Sequence, residues 1–179
     1  MEAKMKIKLS LIIGTLIAIS ALGVSAQKTT KFTSSYTNLD GKACKFYEGG
    51  DGQDGLTICR GPGKYQVRIY SSATMTHIVA ELKGTDESYL LANVSLGFNQ
   101  RKSNVEWRLA NGLPFAAIFR SPTYGEPDEF GAPGKKTGEE LHVIGLKGHE
   151  NIEATIDAKT PTANVKARET ADGNYWKKD

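Results

Sequence analysis

Alternation of apolar and polar positions dominates the chain beyond residue 31. Tyr65, Val67 and Ile69 interleave with Gln66, Arg68 and Tyr70, and Ile78, Ala80 and Leu82 interleave with His77, Val79 and Glu81. A period of two puts one set of side chains on a buried sheet face and the other outward. Residues 90–98 form a less regular strand candidate. The segments are short and punctuated by Gly, Asp, Asn and Ser, which predicts antiparallel pairing. The expected fold is therefore mainly β (a β-rich α+β body), sandwich-like or barrel-like, built from antiparallel strands.

Two hairpins follow from the turn residues. Asn111-Gly112 separates two apolar-patterned strands, and both residues tolerate the positive φ of a type I′ turn. A two-residue loop sets Leu109 opposite Pro114, Trp107 opposite Ala116 and Val105 opposite Ile118. The second of these strands is apolar on both sides, as a central strand would be. A further hairpin around Gly148-His149-Glu150-Asn151 sets Val143 opposite Ile156, His142 opposite Asp157 and Ile144 opposite Thr155. Between the hairpins, 121–140 holds three Pro and four Gly and reads as a long loop.

Ala163, Ala167, Ala171 and Tyr175 recur every four residues. That spacing makes one stripe of a C-terminal helix, expected over about 161–172, with Thr160 as cap and Pro161 in its first turn. Its small side chains suit close approach to a sheet, and Ile144 and Leu146 are the apolar positions in need of such cover.

The N-terminus changes the setting of this fold. Lys4, Lys6 and Lys8 precede an apolar run over 9–24, and Val24-Ser25-Ala26 supplies small residues for cleavage. This is the pattern of a secretory signal peptide over residues 1–26, too short for an ordinary membrane span. Removing those 26 of 179 residues leaves 153, enough for one domain over 27–179. The leader carries three Lys and one Glu, so 23 basic and 20 acidic residues fall to 20 and 19, a net charge of +1. Such a balance argues against a nucleic-acid surface. The expected location is periplasmic or secreted, with no stable membrane insertion after cleavage. In an oxidising compartment Cys44 and Cys59, the two cysteines, are expected to pair. Their spacing is unlike a Cys-x-x-Cys redox motif, and no His lies near either thiol in sequence.

Candidate chemistry is sparse. His77, His142 and His149 form no metal-spaced motif, and no metal or cofactor is expected. His142 with Asp157 as orienting carboxylate is the best acid–base pair, and it underlies a hydrolase alternative. A cross-strand polar pair explains the same spacing without catalysis. His77 reads as an outward strand residue and His149 as a solvated turn residue. Asp51-Gly52-Gln53-Asp54-Gly55 lacks the ligand order of a calcium loop and reads as a turn. Asn93-Val94-Ser95 matches a glycosylation acceptor but falls in a strand candidate. Within 121–140, Tyr124, Glu126, Asp128, Glu129 and Phe130 combine aromatics and acids, and they are the expected contact surface for an unknown protein or envelope partner. A structural envelope protein is a further alternative.

Tyr36-Thr37-Asn38-Leu39, Cys44, the run Cys59-Arg60-Gly61-Pro62-Gly63-Lys64-Tyr65 and Glu106-Trp107-Arg108 together resemble an uncharacterised family of small exported bacterial proteins. Many members carry Gly where Lys64 stands, and C-terminal cysteines that this chain lacks. The resemblance implies export and a shared fold, not a second disulfide, and it carries no catalytic residue. The Ser-Gly-x-x-Tyr loop of one family of secreted lysozyme inhibitors is absent.

Protein recovered outside the cytosol is expected to begin at Gln27 and to weigh two hydrogens less than its reduced form. Intact-mass spectrometry with and without reductant checks both points.

Overall fold

The computed structural model describes residues 29–48, 55–72, 75–95, 100–129 and 132–177. The leader 1–26, Asp51 to Asp54 of the Asp-Gly turn, and Phe130 lie outside the described residues. The strands are β1 (Phe32–Asn38), β2 (Cys44–Tyr47), β3 (Leu56–Arg60), β4 (Tyr65–Ser71), β5 (Met75–Leu82), β6 (Ser88–Ser95), β7 (Asn104–Ala110), β8 (Leu113–Tyr124), β9 (Lys136–Gly145) and β10 (Glu153–Asp157). The helix α1 spans Ala163–Asn174.

The strands form two antiparallel five-stranded sheets. The first has the order β1-β7-β8-β9-β10 and the second β2-β3-β4-β5-β6. Neither closes on itself, so the body is a sandwich and not a barrel. The expected alternation holds: Tyr65, Val67, Ile69, Ile78 and Ala80 point into the space between the sheets. There they meet Val105, Trp107, Ala117 and Phe119 of the first sheet. A second core fills the outer side of the first sheet, where Phe115, Ile118, Leu141 and Val143 lie against Ala163, Ala167 and Ala171 of α1. β8 is central and buried on both faces, as its apolar pattern requires.

Three sequence expectations are corrected. The β7–β8 register shifts between Arg108 and Leu109, so Trp107 faces Ala117 and Val105 faces Phe119. The bulge adds a residue to β8, and a one-residue slip exchanges the faces of a strand. It sends Phe115 toward the helix and Phe119 between the sheets. The helix covers Leu141 and Val143, whereas Ile144 and Leu146 belong to the inter-sheet core. Finally, the helix begins at Ala163. Thr162 precedes it in the left-handed region (φ 60°) and makes no side-chain cap, so neither Thr160 nor Pro161 starts it.

Residues of the Tyr-Thr-x-Leu, Cys-x-Gly-x-Gly-x-Tyr and Glu-Trp-Arg motifs meet in one place. Trp107 Nε1 donates to Thr37 Oγ1 at 2.8 Å, and the Thr37 hydroxyl donates to the Arg60 carbonyl at 3.1 Å. This relay crosses from the first sheet to the second. The Trp107 ring lies 5.8 Å from that of Tyr65, and a Cβ at Gly61 would sit 2.9 Å from the indole. Gly61 is thus required by close packing. The neighbours of Trp107 in β7 point the other way. Arg108 makes a bidentate pair with Asp172 of α1 (3.0 and 2.6 Å), and Glu106 accepts from Arg168 (2.6 and 3.1 Å). Ser34 joins the two pairs through hydrogen bonds to Glu106 and Arg108, and Tyr36 accepts from Arg168 at 3.2 Å. Cys44 and Cys59 are directly opposed in the β2–β3 ladder and form the expected disulfide.

Replacing Thr37 with Val leaves a buried indole N–H unpaired. The expected loss is about 1–3 kcal/mol, measured by urea unfolding, with Thr37→Ser recovering most of it.

Candidate functional site

His142 and Asp157 do not meet. In the β9–β10 ladder His142 faces Thr155, and Asp157 faces Glu140. The reason lies in the turn. Leu146 is fully buried and continues the β8–β9 pairing by donating its N–H to the Phe115 carbonyl at 2.9 Å. The connection therefore widens to 146–151, closed by Gly145 N–H to the Ile152 carbonyl at 2.6 Å. A Cβ at Gly145 would collide with the His149 carbonyl, so this turn needs glycine. Asp157 instead accepts from the Lys159 N–H at 2.8 Å, inside a turn.

What His142 does meet is Ser121, whose hydroxyl lies 2.7 Å from Nε2, while Thr155 Oγ1 lies 3.5 Å from Nδ1. A Ser–His contact is the first half of a nucleophile–base arrangement. Here the orienting position holds a threonine, and Ser121 is only 4 % exposed. The cluster lies on the inner face of the first sheet, the side that carries Ile144 and Phe119. Ser121 is enclosed there, His142 is half-buried and Thr155 is exposed at the strand margin. Burial lowers the His142 pKa, and the charge of Glu140 opposes that shift.

The other histidines divide. His77 is exposed on β5, with Nδ1 2.6 Å from Asn93 Oδ1. His149 is not a solvated turn residue: it is half-buried, stacks on Tyr175 at 4.7 Å and meets the Phe115 ring at 5.6 Å. These ring contacts tie the turn before β10 to β8 and to the end of α1, which the local polarity of Gly-His-Glu-Asn concealed. Among the described residues, no group of three or more His, Cys, Asp or Glu is placed to hold a metal.

The segment 121–140 is mostly hairpin. β8 and β9 pair as far as Tyr124 with Lys136, leaving 125–135 outside the ladder. Arg120 and Lys136 both bridge Glu139 (3.1 and 2.7 Å) and hold its carboxyl below the usual carboxylate range. Pro122 is tolerated because it lies past Phe119, the last residue of β8 paired with β7, where one side of the strand is free. Tyr124 is half-buried in the strand, whereas Glu126, Asp128 and Glu129 are exposed. Asp128 and Ala132 exchange hydrogen bonds that close the tip (2.8 and 3.0 Å).

A feature that the sequence reading passed over is the outer face of the second sheet. The main contacts of α1 are with β7, β8, β9 and β10, and Arg168 also reaches Tyr36 of β1, all in the first sheet. Among the described residues the opposite face of the sandwich carries no covering helix. Ladder partners place Tyr47, Leu56, Tyr70, His77 and Asn93 in one row across all five strands. A parallel row runs Lys45, Ile58, Arg68, Val79 and Leu90. Tyr47 and Leu90 are each 49 % exposed and Tyr70 39 %. The Arg68 guanidinium sits 5.1 Å from the centre of the Tyr70 ring and pairs with Glu81 at 3.0 Å. Gln66 also donates to Glu81 at 3.1 Å. Beside Tyr70 and Val79 lies a shallow groove of about 280 Å³, whose polar rim includes Arg68, Glu81, Asp86 and Ser88.

Comparison with protein-family models, curated proteins and solved structures returns no match.

His142 also makes stability depend on pH. Its folded pKa lies below the ordinary 6.5, so below that pH the unfolded chain binds the extra proton. Stability is expected to be complete above pH 6.5 and to fall as pH drops toward the folded pKa. Urea unfolding of His142→Gln against wild type isolates this share, which should vanish in the variant.

Proposed function

We propose that this protein is an exported binding module, periplasmic or secreted, that engages an envelope component through the open face of its second sheet. The observation that carries this reading is the asymmetry of the sandwich. One sheet is sealed by α1, and the other turns Tyr47, Leu56 and Tyr70 of one row, and Leu90 of the next, toward solvent. Contiguous apolar surface of that kind marks interaction sites. The cross-strand disulfide supports a destination outside the cytosol. No described helix is long and apolar enough to cross a membrane. The hydrolase alternative loses its base–carboxylate pair, because the register separates His142 from Asp157.

A second surface is favoured by one observation: the β8–β9 hairpin outruns its neighbour β7 and holds Glu126, Asp128 and Glu129 in the open. Comparing two variants separates the surfaces. Capture of envelope material by the Tyr47→Ser/Tyr70→Ser protein is expected to fall to background, while a chain lacking 126–132 captures as wild type does. The reverse pattern assigns contact to the hairpin tip. Undiminished capture by both excludes the two surfaces, and no capture by the wild-type protein removes the binding-module reading.

A further inference from the structure

We infer that the open face of the second sheet is a platform for an uncharged, hydroxyl-rich glycan of β-linked pyranose units. This rests on the binding-module reading and names the ligand class for the same surface.

The composition of the face selects the ligand. Tyr47 and Tyr70 lie in one row with β3 between them, about 10 Å apart at the spacing of paired strands. That separation is close to the two-unit repeat of an extended β-1,4-linked chain, so alternate sugar rings can rest on successive tyrosines. Leu56 between them keeps the platform apolar. Farther along the row, His77 and Asn93 present polar edges. The groove beside Tyr70 adds donors and acceptors in the same reach: the guanidinium of Arg68, the carboxylates of Glu81 and Asp86, and the hydroxyls of Thr85 and Ser88. Apolar walls with a few convergent polar groups are the usual make-up of a ligand site.

Charge narrows the class. Within the groove the positive charge of Arg68 is matched by Glu81, and Asp86 on its rim repels an anion there, while Lys45 and Arg60 stand exposed elsewhere on the face. Paired guanidinium and carboxylate groups suit vicinal hydroxyls, which donate to one and accept from the other. A wholly apolar ligand would desolvate that ion pair, and the enclosed Arg68 Nε, already without a hydrogen-bond partner, would gain none from it.

The probes are the β-1,4-linked hexamers of glucose and N-acetylglucosamine, with hexagalacturonate as the acidic counterpart, titrated calorimetrically into the purified protein. At least one neutral hexamer is expected to bind, and hexagalacturonate to bind more weakly. Tyr70→Ala should weaken binding about tenfold, whereas Tyr70→Phe, which keeps the ring, should not. Unfolding midpoints within a few degrees of wild type show that the variants remain folded. Arg68→Met should weaken binding with the platform intact.

Failure of both neutral hexamers to bind, preference for hexagalacturonate, or wild-type affinity in folded Tyr70→Ala overturns the inference. If envelope capture still depends on Tyr47 and Tyr70 in that case, the ligand class falls and the surface stands. A concentration-dependent dimer in sedimentation, abolished by Tyr70→Ala, assigns the face to a second copy and likewise overturns it.

Discussion

The contact on which the rest of this structure depends is the buried indole of Trp107. Its N–H reaches Thr37, Thr37 reaches the backbone of Arg60, and its ring packs on Tyr65 and against Gly61. The neighbours in sequence extend the same strand outward, Glu106 to Arg168 and Arg108 to Asp172. One tripeptide therefore fastens three layers: the second sheet through its middle residue, the helix through the residues on either side. Strand alternation makes this possible, since a period of two sends neighbours to opposite faces. The Arg108 side chain is 7 % exposed, so its pairing with Asp172 must be kept once made. A buried charge that loses its partner costs more than the pair contributes.

This arrangement gives physical meaning to the conspicuous motifs of the sequence. Tyr36, Thr37, Leu39, Cys59, Gly61, Tyr65, Glu106, Trp107 and Arg108 are engaged in the core, the staple or the layer contacts. The residues most conspicuous in the sequence are consumed in holding the molecule together, and the parts free to bind are the plainer ones between them.

Much of the architecture could be read from pattern. Alternation in β4 and β5 identified the inward residues, Asn111-Gly112 identified its hairpin, and the every-fourth alanines identified the buried stripe of α1. What escaped were effects with no local signature. The bulge at Arg108 is set by which large side chain fits each core, Phe115 against the helix or Phe119 between the sheets. The β9–β10 register follows from Leu146 remaining with β8, a tertiary choice that moved Asp157 away from His142. The strands inside 121–140 were hidden by Pro and Gly, yet the cross-strand grouping of Arg120, Lys136 and Glu139 sustains them. The tyrosine row was invisible because it is assembled from separate strands. Tyr47 and Tyr70 become neighbours only when the ladders are in place.

The cysteine bridge has a consequence for this surface. β2 is a four-residue strand at the sheet margin, and Tyr47 is its last residue. So short a margin has little backbone pairing to retain it, and the covalent link at Cys44 anchors it to β3. With the bridge reduced, the row can end at Leu56 and stand one tyrosine short. The bridge thus does more than fasten a margin: it sets how many aromatic rings the outer face presents.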